Sequence, residues 1–212
     1  MQPFQTVSGA AVPLMRRNVD TDVIIRIEPL TQLPRHELGR HAFESLRRGK
    51  DGCPLEGVHF DEPRFREAPV LLADENFGCG SSREGAVWAL QGMGVRCVIA
   101  PSFGDIFVDN CFQNGVLPIR LPRDQVLALA AACAEGAAVT VDLRESVVVA
   151  PGDLRLSFTI DATRRRALLE GLDDIGLTLT EGAAIDAWER ADRAARPWNW
   201  PSSSTPDIET AQ

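Results

Sequence analysis

An α/β fold, with a parallel βαβαβ core followed by an antiparallel β meander, is predicted by three features of the 212-residue chain. Short apolar runs alternate with helical periods between residues 70 and 120. The hydrophobic period then drops to two between residues 138 and 160. Gly92, Gly115 and Gly136 close the helical stretches. Strand and helix in alternation imply parallel strands with right-handed crossovers, and a period of two with tight turns implies hairpins.

In order along the chain, FQTVSGAAVPL alternates as a strand before Pro13, and NVDTDVII reads as a polar turn running into an apolar strand. Residues 26–66 are loop-rich in Pro and Gly. One helix is expected over 35–48, where Leu38, Ala42, Phe43 and Leu46 share a face. Val70–Ala73, Val95–Ala100 and Val116–Arg120 are the core strands, with Pro118 marking the last as short or at an edge. Ser81–Met93 and Asp105–Asn114 are the helices between them. An Ala/Leu helix over 123–135 leads to the meander VTVDL, SVVVA and RLSFTI. Helices follow at Thr163–Glu170 and Ala183–Ala195. The expected organisation is one domain over 1–196 and a disordered tail over 197–212.

Composition narrows the chemistry. The net charge is −8, which argues against a general nucleic-acid binder. There are 21 Arg, one Lys (Lys50) and no Tyr. Tyrosine acids are excluded, and an anion held by a cation must be held by Arg, which favours two-pronged carboxylate contacts. Cys53, Cys79, Cys97, Cys111 and Cys133 form no CxxC pair, and His36, His41 and His59 have no i, i+4 spacing, so no metal site is expected in this chain. Dispersed cysteines without a secretory leader give a cytoplasmic expectation. The longest apolar run, 126–134, is too short to span a bilayer.

The segment with the most chemistry is DENFGCGSSREGA, residues 74–86, between a strand end and a helix start. Open α/β sheets place ligand sites there. Ser81 reads as an N-cap with Glu84 as its capping-box partner. The first-turn N–H groups favour an anion, and Arg83 adds a carboxylate clamp. The same residues also read as an ordinary helix start. Patterns for nucleotide loops and for the hydrolase nucleophile elbow do not fit.

NFGCGSSREGAVWAL resembles the active-site serine loop of the aconitase superfamily, and NVDTDVII resembles its N-terminal Asp-Thr-Asp motif. GVRCVIAPSFGDIFVDNCFQNGVLPI and FTID…LLEGLDDIGLTL are similar to the small subunits of 3-isopropylmalate dehydratase. Together these cover roughly residues 4–190 in order. The resemblance implies a swivelling β/β/α domain and a hydro-lyase that isomerises 2-isopropylmalate to 3-isopropylmalate in leucine biosynthesis. It further implies a 4Fe-4S cluster on a separate large subunit, with activity only in the pair and no cofactor or metal on this chain. Carried over by position, Ser81 is the general base, Arg83 a substrate-carboxylate ligand, Ser82 its hydrogen-bonding support, and Asp22 the group that orients them. Arg35 falls near a second substrate arginine of the family, or is a surface residue before a helix. Arg26 stands where the family usually has Pro. It either contacts a polar substituent or faces solvent, and it keeps open a paralogous substrate such as methylmalate, dimethylmalate or homoaconitate.

Overall fold

The computed structural model describes residues 1–47, 49, 53 and 55–201. These fall into two compact units, Met1–Asp173 and a second beginning at Asp174. Lys50 and residues 202–212, most of the expected tail, lie outside the described residues.

Strand β1 (Thr6–Leu14) organises the first unit. Its second half pairs in parallel with β2 (Val70–Ala73), from Ala11 opposite Val70 to Leu14 opposite Ala73. Its first half pairs antiparallel with β5 (Ala138–Asp142), from Thr6 opposite Asp142 to Ala10 opposite Ala138. Beyond β2 lie β3 (Cys97–Ala100) and β4 (Leu117–Arg120), both parallel. Beyond β5 lie β6 (Val147–Ala150) and β7 (Leu154–Ser157), both antiparallel. The order is β4-β3-β2-β1-β5-β6-β7, so the expected parallel core and meander share one strand. Pro118 sits on the edge strand β4, where its missing N–H interrupts no outer ladder.

Side chains alternate across the parallel strands. Leu71, Ala73, Val98 and Ala100 join one core cluster with α4 (Glu84–Gly92) and α5 (Asp105–Asn114). Val70, Leu72, Cys97 and Ile99 join the other, with α6 (Arg123–Cys133). Burial on both faces is why these strands read as unbroken apolar runs. Helix α7 (Ala162–Glu170) completes the unit, capped by Asp161, which accepts from Thr163 N and Arg164 N.

Two spans in the N-terminal third depart from the sequence expectation. NVDTDVII does not enter a strand. Thr21–Ile24 is a short helix, α1, because the Asp20 carboxylate accepts from Val23 N at 2.7 Å and starts the turn. The helix expected over 35–48 is broken. A 3₁₀ turn (Arg35–His41) follows α2 (Ile27–Gln32), and α3 (Glu44–Arg47) begins only after Phe43, at φ 55°. Phe43 turns the chain so that its ring stacks on Phe60, with centroids 4.5 Å apart.

The second unit holds α8 (Asp174–Thr180) and α9 (Gly182–Ala195). A 3₁₀ turn over Pro197–Asn199 returns Trp200 to α9, where its Nε1 donates to Asp192 at 2.9 Å. Among the described residues no helix is long and apolar enough to cross a membrane.

Candidate active site

Three loops meet at the C-terminal ends of β1, β2 and β3, and backbone hydrogen bonds join them. Gly78 N donates to Val19 O at 2.7 Å and Thr21 N to Cys79 O at 3.0 Å. Phe77 N donates to Ser102 O at 3.1 Å and Gly104 N to Phe77 O at 2.9 Å. The loop carrying Ser81 is thus pinned on both sides. Asn18 and Asn76 both adopt left-handed backbone, and Asn76 Nδ2 donates to Asn18 Oδ1 at 2.9 Å.

Close packing beneath the loop requires glycine. Gly78 has φ 70°, and a Cβ there would lie 2.2 Å from the ring of Phe107. Phe107 belongs to an aromatic cluster with Phe77 and Phe103, at centroid distances of 5.4 and 6.3 Å. The strand end before the loop is held by charge. Buried Asp74 accepts two hydrogen bonds from Arg123, at 2.9 and 2.8 Å. Those bonds hold its carboxyl below the usual range, against the opposing effect of burial.

Thr21 is the buried lock between the Asp-Thr-Asp segment and the serine loop. Its hydroxyl donates to Ser81 O at 3.0 Å. Arg83 N donates to the same carbonyl at 2.8 Å. The Ser81 backbone is therefore fixed while its side chain is exposed, and among the described residues no hydrogen bond engages its hydroxyl. Ser82 is likewise exposed. Asp22 forms an ion pair with Arg83, whose Nη1 also donates to Ile25 O at 3.3 Å. The fold thus gathers Ser81, Ser82, Arg83 and Asp22 at one place.

The expected capping box is absent. Arg83, not Ser81, occupies the N-cap of α4, and no side chain caps it. Thr21 and Arg83 N both claim the Ser81 carbonyl, which places Ser81 upstream of the first turn. Glu84 turns away and accepts from Asn114 Nδ2 at 2.8 Å.

Arg35 and Arg26 stand apart from that group in their contacts. Arg35 lies on the flank of α4, its guanidinium 4.9 Å from the Trp88 ring centroid. Its Nη2 donates to Gln91 at 2.8 Å and to Asn114 at 2.7 Å. Arg26 is exposed and donates to Glu28 from Nη2 at 3.0 Å and from Nε at 3.3 Å. That bonding raises the Arg26 pKa and lowers that of Glu28, which also feels Arg83 weakly. Arg26 and Glu28 border a cleft of about 490 Å³ with Gln32, Leu33 and His41.

Sequence reasoning missed Thr21, Asn114 and Phe107 as supports. Thr21 was visible inside its motif. For Asn114 and Phe107 nothing local signals a role, because their partners are distant in sequence. Cys79, in the loop, is a poor nucleophile, since burial and then Asp20 push its thiol pKa up. Among the described residues no three His, Cys, Asp or Glu side chains converge to hold a metal.

The chain is similar to known proteins in both sequence and fold. The family model "Aconitase C-terminal domain" matches residues 1–124. The family model for the C-terminal domain of the 3-isopropylmalate dehydratase small subunit matches residues 174–198. Proteins named 3-isopropylmalate dehydratase small subunit, from Dinoroseobacter shibae and Paramagnetospirillum magneticum, are each 46% identical over 200 residues, covering 93% of this chain and 100% of theirs. One from Cupriavidus necator is 47% identical over 203 residues, covering 93% and 98%. A solved 3-isopropylmalate dehydratase (leuD) of Methanocaldococcus jannaschii superposes with a TM-score of 0.61 at 26% identity, over 87% of this chain and 99% of that one. With an aconitase-type α/β domain and relatives of this identity over nearly its full length, the chain belongs to the family of 3-isopropylmalate dehydratase small subunits.

Proposed function

We propose that this chain is the small half of a hydro-lyase that interconverts 2-isopropylmalate and 3-isopropylmalate in leucine biosynthesis, in the cytoplasm, paired with a large subunit. The observation that supports it most is the Asp22–Arg83 ion pair beside Ser81, set at the C-terminal edge of the parallel strands within a family of that activity. Arg83 binds a substrate carboxylate, Ser82 supports it by hydrogen bonding, and Asp22 orients the guanidinium. Ser81 takes the proton from the carbon next to that carboxylate, and hydroxide leaves the neighbouring carbon. Water then returns with the two positions exchanged. A free serine hydroxyl is too weak a base at neutral pH, so its ionised form needs the α4 N-terminus and an arginine cation beside it. A 4Fe-4S cluster on the large subunit would supply the Lewis acid for the departing hydroxide. Arg35 and Arg26 remain candidates for the substrate's outer contacts.

A second reading, a related 2-hydroxy diacid such as methylmalate, dimethylmalate or homoaconitate, is favoured by the charged Arg26–Glu28 pair at the N-terminus of α2. Co-expression with the large subunit and an anaerobic assay on these diacids tests both readings. Selective turnover of the isopropylmalates supports the first, and preference for another diacid supports the second. Turnover by the small chain alone would overturn both.

A further inference from the structure

Asn114, the last residue of α5, is buried and uses every hydrogen-bonding position of its carboxamide. Oδ1 accepts from Arg35 Nη2 at 2.7 Å and Trp88 Nε1 at 3.1 Å. Nδ2 donates to Glu84 Oε1 at 2.8 Å and Asn110 O at 2.9 Å. The backbone carbonyl accepts from Gln91 Nε2 at 2.5 Å. Only one amide orientation works, since a flip would set donors against Arg35 and Trp88 and acceptors against Glu84 and Asn110. Through its side chain and its backbone carbonyl, this one residue therefore ties the 3₁₀ turn carrying Arg35, both ends of α4 and the end of α5.

Two consequences follow from chemistry. Helix α4 lacks a side-chain cap, so its first turn depends on other anchors, and Glu84 follows directly on Arg83. Arg35 has engaged both Nη2 protons, with Gln91 and Asn114. Each two-pronged edge of a guanidinium includes an Nη2 proton, so Arg35 offers a carboxylate only single contacts unless one of these bonds breaks.

We infer that Asn114 is a positioning residue: through Glu84 it fixes the first turn of α4 and hence Arg83, and Arg35 serves in the same brace rather than as a two-pronged substrate ligand. Its catalytic meaning rests on the proposed function above.

The test uses the complex with the large subunit. Asn114→Asp keeps the acceptor facing Arg35 and Trp88 but sets a carboxylate oxygen against both Glu84 and the Asn110 carbonyl. Adding Glu84→Gln supplies a donor to that carboxylate and restores the link. The single variant should lose roughly tenfold or more in kcat/KM, mainly through KM. The double variant should recover to within about threefold of the native complex. Amide exchange in the first turn of α4, measured without substrate, should speed up in the single variant and return in the double. Glu84→Ala, which places no charge in the buried site, should reproduce the single variant's loss even if Asn114→Asp fails to fold. Unchanged kinetics and exchange in Glu84→Ala, or a folded double variant no better than the single, would overturn the proposal. If the native complex turns over no isopropylmalate, the substrate reading fails, while the exchange data still decide the brace.

Discussion

The Asp22 carboxylate is ion-paired with the Arg83 guanidinium, although 61 positions separate them in sequence (83 − 22). Arg83 is only 21% exposed and also donates to Ile25 O, so its orientation is set from the Asp-Thr-Asp side. Asp22→Ala should leave the fold intact and raise KM about tenfold, equivalent to ~1.4 kcal/mol. Steady-state kinetics of the paired enzyme, with circular dichroism as the control for folding, check this.

Gly78→Ala should be among the most damaging small substitutions. Its Cβ would enter the Phe107 ring, and φ 70° is unfavourable for alanine. A loss of about 2–4 kcal/mol is expected from backbone strain and overpacking combined. Denaturant unfolding of the isolated chain measures it.

The Asp74–Arg123 pair gives a pH signature. Arg123 holds the Asp74 carboxyl low. Its contribution to stability is full above the unfolded value, about 3.9, and is lost as pH falls through the lower native value. Arg123→Ala leaves a buried carboxylate that keeps the hydrogen bond from Glu75 N at 2.9 Å and has Arg17 at 3.9 Å. It should cost roughly 2–3 kcal/mol at neutral pH. The deficit should shrink as acid protonates Asp74, and unfolding curves across that range would show it.

The thiols should react in a fixed order. Cys53 is exposed, Cys79 half-buried, and Cys97, Cys111 and Cys133 buried, with burial pushing all three buried thiols up. Titration with a disulfide reagent should label Cys53 fast and Cys79 slowly. The other three should react only after unfolding.

Much of the fold was legible because its signals are local. Short apolar runs marked β2 and β3, and Gly115 in left-handed backbone ends α5 where the sequence placed its stop. The misread spans are those where tertiary contacts win. The turn at Phe43 is set by stacking on Phe60. The shift of the α4 start to Glu84 is set by Thr21, which reaches from the start of α1 to bind the Ser81 carbonyl. Ser81, Arg83 and Asp22 could be named from their motifs. The brace around Asn114 could not, because a helix-ending Asn before Gly gives no sign of burial against Arg35 and Glu84.

The most direct test is turnover by Ser81→Ala in the anaerobically assembled complex. The Ser81 side chain is exposed and carries no structural hydrogen bond among the described residues, so stability and assembly should be unchanged. If Ser81 is the base, kcat for isopropylmalate isomerisation should fall by roughly 10²–10⁴-fold. Turnover within about threefold of the native complex, at equal cluster content and equal assembly, would contradict the account.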